Sequence, residues 1–89
     1  MKLSKDEYYK VRRFILRKLL IHGIVGAKHT SEENLHKSLP KHLRGFAKDI
    51  VSGLIKDGFL LSHPTSHGMQ VSLNPNMLQE IKKLVQNAG

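Results

Sequence analysis

The chain has 89 residues, of which 39% are hydrophobic and 25% are charged, and these proportions favour a single folded domain over a disordered segment. Fifteen Lys and Arg residues against seven Asp and Glu residues give a formal net charge of +8, which favours a polyanionic partner. The sequence contains no cysteine, so disulfides, cysteine-based zinc sites and a thiol nucleophile are excluded.

The first predicted helix covers residues 4–22. Ser4 and Glu7 have the spacing of a capping box, in which each side chain accepts a hydrogen bond from the other residue's backbone. Gly23 suits the left-handed position that follows a helix. The N-terminal residues 1–13, MKLSKDEYYKVRR, are too charged for a signal peptide. No run of about 18 apolar residues, the length needed to span a membrane, occurs in the sequence. We therefore expect a cytoplasmic protein without a membrane partner.

The second predicted helix is short and covers about residues 31–38. Thr30 or Ser31 supplies its N-cap, since both hydroxyls can accept a hydrogen bond from the first turn. The apolar side chains that it offers to a core are mainly Leu35 and Leu39.

The third predicted helix follows Pro40 and covers about residues 41–57, with Gly58 at its end. Its apolar residues recur at helical spacing and form the clearest period in the sequence. These residues are Leu43, Phe46, Ala47, Ile50, Val51, Leu54 and Ile55.

A β-hairpin and a last helix complete the chain. A strand begins at residues 59–61, a turn is predicted at residues 63–67, and a second strand returns over residues 69–73. Asn74 is the expected N-cap of the last helix and Pro75 its first residue. The apolar half of the hairpin is expected to close the core, and consists of Phe59, Leu61, Met69, Val71 and Leu73.

The stretch LHKSLPKHLRGFAKDIVSGLIKDGFLLS resembles the winged helix-turn-helix family of small archaeal and bacterial DNA-binding proteins. The residues in the family's pattern at the end of the recognition helix are Val51, Ile55, Gly58, Phe59 and Leu60. The resemblance implies an α+β, mainly helical fold, with a three-helix core, a two- to three-stranded β-wing and an additional C-terminal helix. Residues 1–89 would form one such domain.

The resemblance also implies a nucleic-acid-binding protein, with duplex DNA favoured and a role in transcription regulation. In the family the third helix enters the major groove and the wing lies along the backbone or the minor groove. Arg44 would read guanine, whereas Lys41 and Lys48 would contact phosphates. The residues carried over as the candidate interface are Lys41, His42, Arg44, Lys48, Ser52, Thr65, Ser66 and His67.

Two features depart from that pattern. The wing contains His63 and His67 but neither Lys nor Arg, so it offers little charge to a phosphate at pH 7. Residues 1–22 carry a net charge of +5, whereas residues 41–58 carry +2. The alternative is therefore an RNA- or ribonucleoprotein-binding or protein-interaction module that uses the basic face of the first helix. That face consists of Lys10, Arg12, Arg13, Arg17 and Lys18.

Other site classes are not favoured by the sequence. No glycine-rich phosphate loop or nucleophile-elbow motif occurs, so we expect no enzyme and no cofactor. His63 and His67 flank the predicted turn and could approach each other across the hairpin, but two ligands without a nearby Asp, Glu or Cys make a poor zinc site, and we expect no metal. Gly45 and Gly53 either allow close approach to a phosphate or relieve crowding against a neighbouring helix. A homodimer through the terminal helices remains an option.

Overall fold

The computed structural model describes residues 3–86. This part of the chain is mainly helical, with four α-helices and one small antiparallel sheet of three strands. The elements in chain order are α1 (Lys5–Ile21), β1 (Thr30–Ser31), α2 (Glu32–Ser38), a 3-10 helix (Lys41–Phe46), α3 (Ala47–Lys56), β2 (Leu60–Thr65), β3 (Gly68–Leu73), a 3-10 turn (Pro75–Met77) and α4 (Leu78–Gln86).

Helix α1 begins with the predicted capping box. The Glu7 N–H donates to Ser4 Oγ and the Ser4 N–H donates to the Glu7 carboxylate, both at 3.1 Å. The hydrogen bond from the Ser4 backbone, followed by that of the Ser4 side chain, lowers the pKa of Glu7 below its usual 4.5. Gly23 follows the helix with φ of 66°, as predicted. Both ends of α1 are therefore set by local sequence.

The sheet has the strand order β1-β3-β2, and both pairings are antiparallel. Thr30 pairs with Val71 in the first, and Leu60 pairs with Leu73 in the second. The hairpin loop contains only residues 66–67, so the predicted turn over residues 63–67 was too long. Pro64 is accommodated within β2 because β2 is an edge strand, where a missing N–H breaks no ladder.

The register of the hairpin differs from the predicted one at its start. Leu60 is 2% exposed and lies opposite Leu73 in the core, whereas Leu61 is half-buried and lies opposite Ser72 on the other face. The prediction that Leu61 faces the core was wrong. Side chains alternate along a strand, so the pairing of Leu60 with Leu73 directs Leu61 away from the core.

The predicted third helix consists of two parts. Residues Lys41–Phe46 form a 3-10 helix, and the α-helical hydrogen bonding starts only at Ala47. The Leu43 N–H donates to the Pro40 carbonyl at 2.9 Å, which is the i to i+3 pattern of a 3-10 turn. Gly45 further weakens an α-helix at this point. A continuous α-helix over residues 41–57 was therefore the wrong expectation.

One core joins the four α-helices to β2 and β3. Helix α2 is capped by Ser31, whose Oγ accepts from the Asn34 N–H, and it buries Leu35, as predicted. Asn74 accepts from the Asn76 N–H, as an N-cap does, but it caps the 3-10 turn Pro75–Met77; α4 begins at Leu78, so Pro75 is not its first residue as predicted. The buried hydrophobic residues are Val11, Ile15, Leu16, Leu19, Leu35, Leu39, Ala47, Ile50, Val51, Leu54, Leu60, Val71, Leu73 and Ile81.

Within residues 3–86, none of the helices is both long enough and apolar enough to cross a membrane.

Candidate nucleic-acid interface

Four of the predicted interface residues lie exposed on one stretch of the fold. Lys41 and His42 begin the 3-10 helix, and Lys48 and Ser52 lie one turn apart on α3. Across residues 3–86 the ion pairs are Lys37 with Glu33 and Lys83 with Glu80, at 3.5 and 3.9 Å. Lys41 and Lys48 therefore have no carboxylate within 4 Å and can meet phosphates.

Arg44 is placed differently from its neighbours. Its Nε donates to the Leu39 carbonyl and its Nη2 donates to the Lys37 carbonyl, both at 3.1 Å. These carbonyls lie at the C-terminal end of α2, where the last acceptors of a helix lack partners within the helix. The guanidinium fork thus caps α2 and fixes it to the 3-10 helix, instead of extending outward to a base.

The two glycines of this segment have different surroundings. A Cβ at Gly45 would meet no atom within 4 Å, so Gly45 relieves no crowding. A Cβ at Gly53 would lie 2.9 Å from the Tyr8 hydroxyl, so Gly53 makes room for α1. Only Gly45 leaves an open approach to the backbone.

The wing tip is built from residues 65–68. Thr65 Oγ1 donates to the Gly68 carbonyl at 2.8 Å and accepts from the His67 N–H at 3.2 Å. Its hydroxyl therefore closes the turn, while Ser66 and His67 remain exposed. Gly68 adopts φ of 121°, a conformation that favours glycine at this position.

The wing lies beside the start of α2. A cavity of about 290 Å³ is lined there by Ser31, Glu32, Glu33, His36, His67, Gly68 and Met69. Glu33 is partly neutralised by its ion pair with Lys37, and both side chains of that pair are largely exposed, which limits its strength. This end of the candidate interface has little positive charge.

A histidine cluster on the outer face of the sheet was not predicted. The rings of His29 and His63 stack with centroids 4.9 Å apart. His29 Nδ1 donates to Gln70 Oε1 at 3.2 Å, and His63 Nε2 lies 3.0 Å from the Oγ of the buried Ser72. His63 lies within β2, whereas His67 lies in the hairpin loop. The pairing of β1 with β3 brings His29, which directly precedes β1, beside His63. Predicting that pairing would have been needed to find the cluster from the sequence.

The five cations of the predicted basic face do not share one face. Arg12 lies with its guanidinium carbon 4.7 Å from the Tyr9 ring centroid and 5.8 Å from that of Phe59. Such a position gives a cation–π interaction that holds Arg12 near the core. Of the remaining four cations, Lys10 and Arg17 are exposed, and Arg13 and Lys18 are partly exposed.

Among residues 3–86, no three side chains of the metal-ligating types come together. Comparison of the chain with protein-family models, curated proteins and solved structures finds no match.

Proposed function

We propose that the chain is a winged helix-turn-helix domain that binds duplex DNA through the 3-10 helix and α3. The observation that carries this proposal is the topology. The element order from α1 to β3, with a three-stranded antiparallel sheet in the order β1-β3-β2, is typical of that fold. In this reading α2 and α3 are the helix-turn-helix pair and the β2–β3 hairpin is the wing.

The exposed residues on α3 and the 3-10 helix are suited to the groove. Lys41 and Lys48 would neutralise phosphates, and Ser52 would donate a hydrogen bond to a phosphate or a base edge. Arg44 fixes the 3-10 helix to the C-terminal end of α2. Its contribution to binding is therefore to position the neighbouring residues of the 3-10 helix. The open backbone at Gly45 would admit a phosphate closely.

The wing makes a smaller contribution in this proposal. Ser66 and His67 can contact the backbone as neutral groups, and Thr65 is used within the turn. Acidic residues at the start of α2 reduce the local positive charge. Affinity should therefore depend mainly on the helical segment. The proposal assigns no catalytic residues and no cofactor, and site-specific binding of this kind would suit a transcription regulator.

Fluorescence anisotropy with a labelled random-sequence duplex, at several salt concentrations, tests this proposal. The Lys41→Ala/Lys48→Ala variant should bind more weakly. Its negative slope of log affinity against log salt should be shallower by about 1.8, because two phosphate contacts are lost. The matched control is Lys5→Ala/Lys82→Ala, which removes two exposed cations elsewhere. Equal losses in both variants, or no binding by the native protein at low salt, would contradict the proposal.

A further inference from the structure

The outward side of α1 exposes two large apolar side chains. Phe14 is 43% exposed and Ile21 is 68% exposed, whereas the core residues of the same helix are at most 4% exposed. The two residues are seven positions apart, so they lie about 10.5 Å apart along the helix axis and on the same side. Exposed apolar residues that share one side of a helix indicate a contact surface.

Two cavities meet at Phe14. The first, about 200 Å³, lies between α1 and the start of the 3-10 helix and is lined by Lys10, Val11, Phe14, Leu39, Pro40 and Leu43. The second, about 290 Å³, continues along α1 and is lined by Phe14, Arg17, Lys18, Ile21 and His22. We call these two cavities together the α1 groove. Its first half is lined almost entirely by apolar side chains.

Cations border this groove. Lys10, Arg17 and Lys18 line it, and none of these three has a carboxylate within 4.0 Å among residues 3–86. The acidic residues of α1 lie only in its first turn. An apolar floor with an uncompensated positive rim is complementary to a ligand that is apolar at its centre and acidic at its edges.

We propose that the α1 groove binds an amphipathic, acidic helix of a partner protein. The apolar stripe of such a helix would cover Phe14 and Ile21, with anchors at i, i+3 or i+4, and i+7 filling the two cavities. Asp and Glu residues beside the stripe would pair with Arg17 and the other rim cations. This surface is separate from the exposed residues of α3, and its first half, lined by Pro40 and Leu43, adjoins Lys41 and His42.

Two other occupants fit the groove less well. Nucleic acid would pair with the cations and can stack on Phe14, but it gains nothing from covering Ile21 or the cavity beside Leu39 and Leu43. In a symmetric dimer through this groove, Lys10, Arg17 and Lys18 would face the same three cations of the second copy. Charge repulsion therefore opposes self-association here.

The test uses three labelled synthetic peptides and the complete chain. The first peptide is an 18-residue helix with Leu at i, i+4 and i+7 and Glu on both flanks. The second is its scrambled sequence, and the third replaces every Glu with Lys. We expect the first peptide to bind at least about tenfold more tightly than either of the others.

Matched variants locate the site. Phe14→Ala/Ile21→Ala should weaken peptide binding by about tenfold or more, because it removes the two anchors. Arg17→Glu should weaken the acidic peptide and strengthen the Lys peptide, whereas Lys82→Glu on α4 should leave the preference for the acidic peptide intact. Both groove positions are exposed, and circular dichroism of each variant checks that the fold is retained.

Three results would overturn this inference. The first is absence of binding by the acidic peptide at about 1 mM, or equal binding of its scrambled form. The second is loss of binding to duplex DNA or structured RNA in Phe14→Ala/Ile21→Ala, which would assign the groove to nucleic acid. The third is a dimer in sedimentation that Ile21→Ser abolishes. DNA binding by α3 is measured separately, so each proposal can fail without the other.

Discussion

Replacing Arg44 with Ala should destabilise the domain more than it affects contacts with DNA. The guanidinium donates two hydrogen bonds to carbonyls at the end of α2. A hydrogen bond from a charged donor contributes about 1.5–3 kcal/mol when sheltered. The hydrogen bond to the Lys37 carbonyl is exposed to water and therefore contributes less than the one to Leu39. The two hydrogen bonds and the interaction with the helix dipole should together contribute about 2 kcal/mol to the free energy of unfolding.

This loss is large enough to measure by thermal and urea unfolding. For a domain of this size, about 2 kcal/mol corresponds to a fall in Tm of about 8–16 °C. Arg44→Lys should recover only part of it, because an ammonium group lacks the planar fork that spans both carbonyls. Lys41→Ala, three residues away and exposed, is the control and should change stability by less than about 0.5 kcal/mol.

The opposite pattern would refute the reasoning. If Arg44→Ala has the same Tm as the native protein but its folded state binds the duplex more weakly, then Arg44 contacts DNA and does not stabilise the end of α2. Base-specific loss, seen as relaxed discrimination at one guanine, would confirm the prediction made from sequence. Measuring both quantities on the same preparations separates the two roles.

The hairpin register and the first helix cap give two further predictions. Leu60→Ala should cost about 2–5 kcal/mol in urea unfolding and Leu61→Ala under about 1 kcal/mol, since only Leu60 is in the core; equal costs would show that the register is wrong. The lowered pKa of Glu7 means that its carboxylate stabilises the fold above pH 4.5 and loses this effect as pH falls through the folded-state pKa. The difference in Tm between the native protein and Glu7→Gln should therefore shrink on acidification, and a pH-independent difference would exclude this role.

The local features of the fold were predictable because short-range sequence determines them. The capping box at Ser4 and Glu7, the stop at Gly23 and the cap at Asn74 each depend on residues within about four positions of one another. The order of helices and strands followed from apolar periodicity. The hairpin turn was too long in the prediction because Pro64 was read as a turn residue, although an edge strand tolerates it.

Features that depend on neighbouring elements were not predictable. Which of Leu60 and Leu61 faces the core depends on pairing with β3, and the stacking of His29 on His63 depends on β1 joining the same sheet. Arg44 has an outward helical position in the sequence pattern, but its side chain turns back to α2. The 3-10 helix that allows the Arg44 side chain to reach α2 arises from Pro40 and Gly45 together. The spacing of apolar residues does not distinguish it from an α-helix.

An NMR titration tests the position of the proposed DNA-binding surface most directly. Amide shifts of the native protein are followed as a short duplex is added at low salt. We predict that the largest changes fall within residues 41–56, with smaller changes at residues 65–68 and few along α1. Changes concentrated at residues 10–21, or no change at saturating duplex, would contradict the claim.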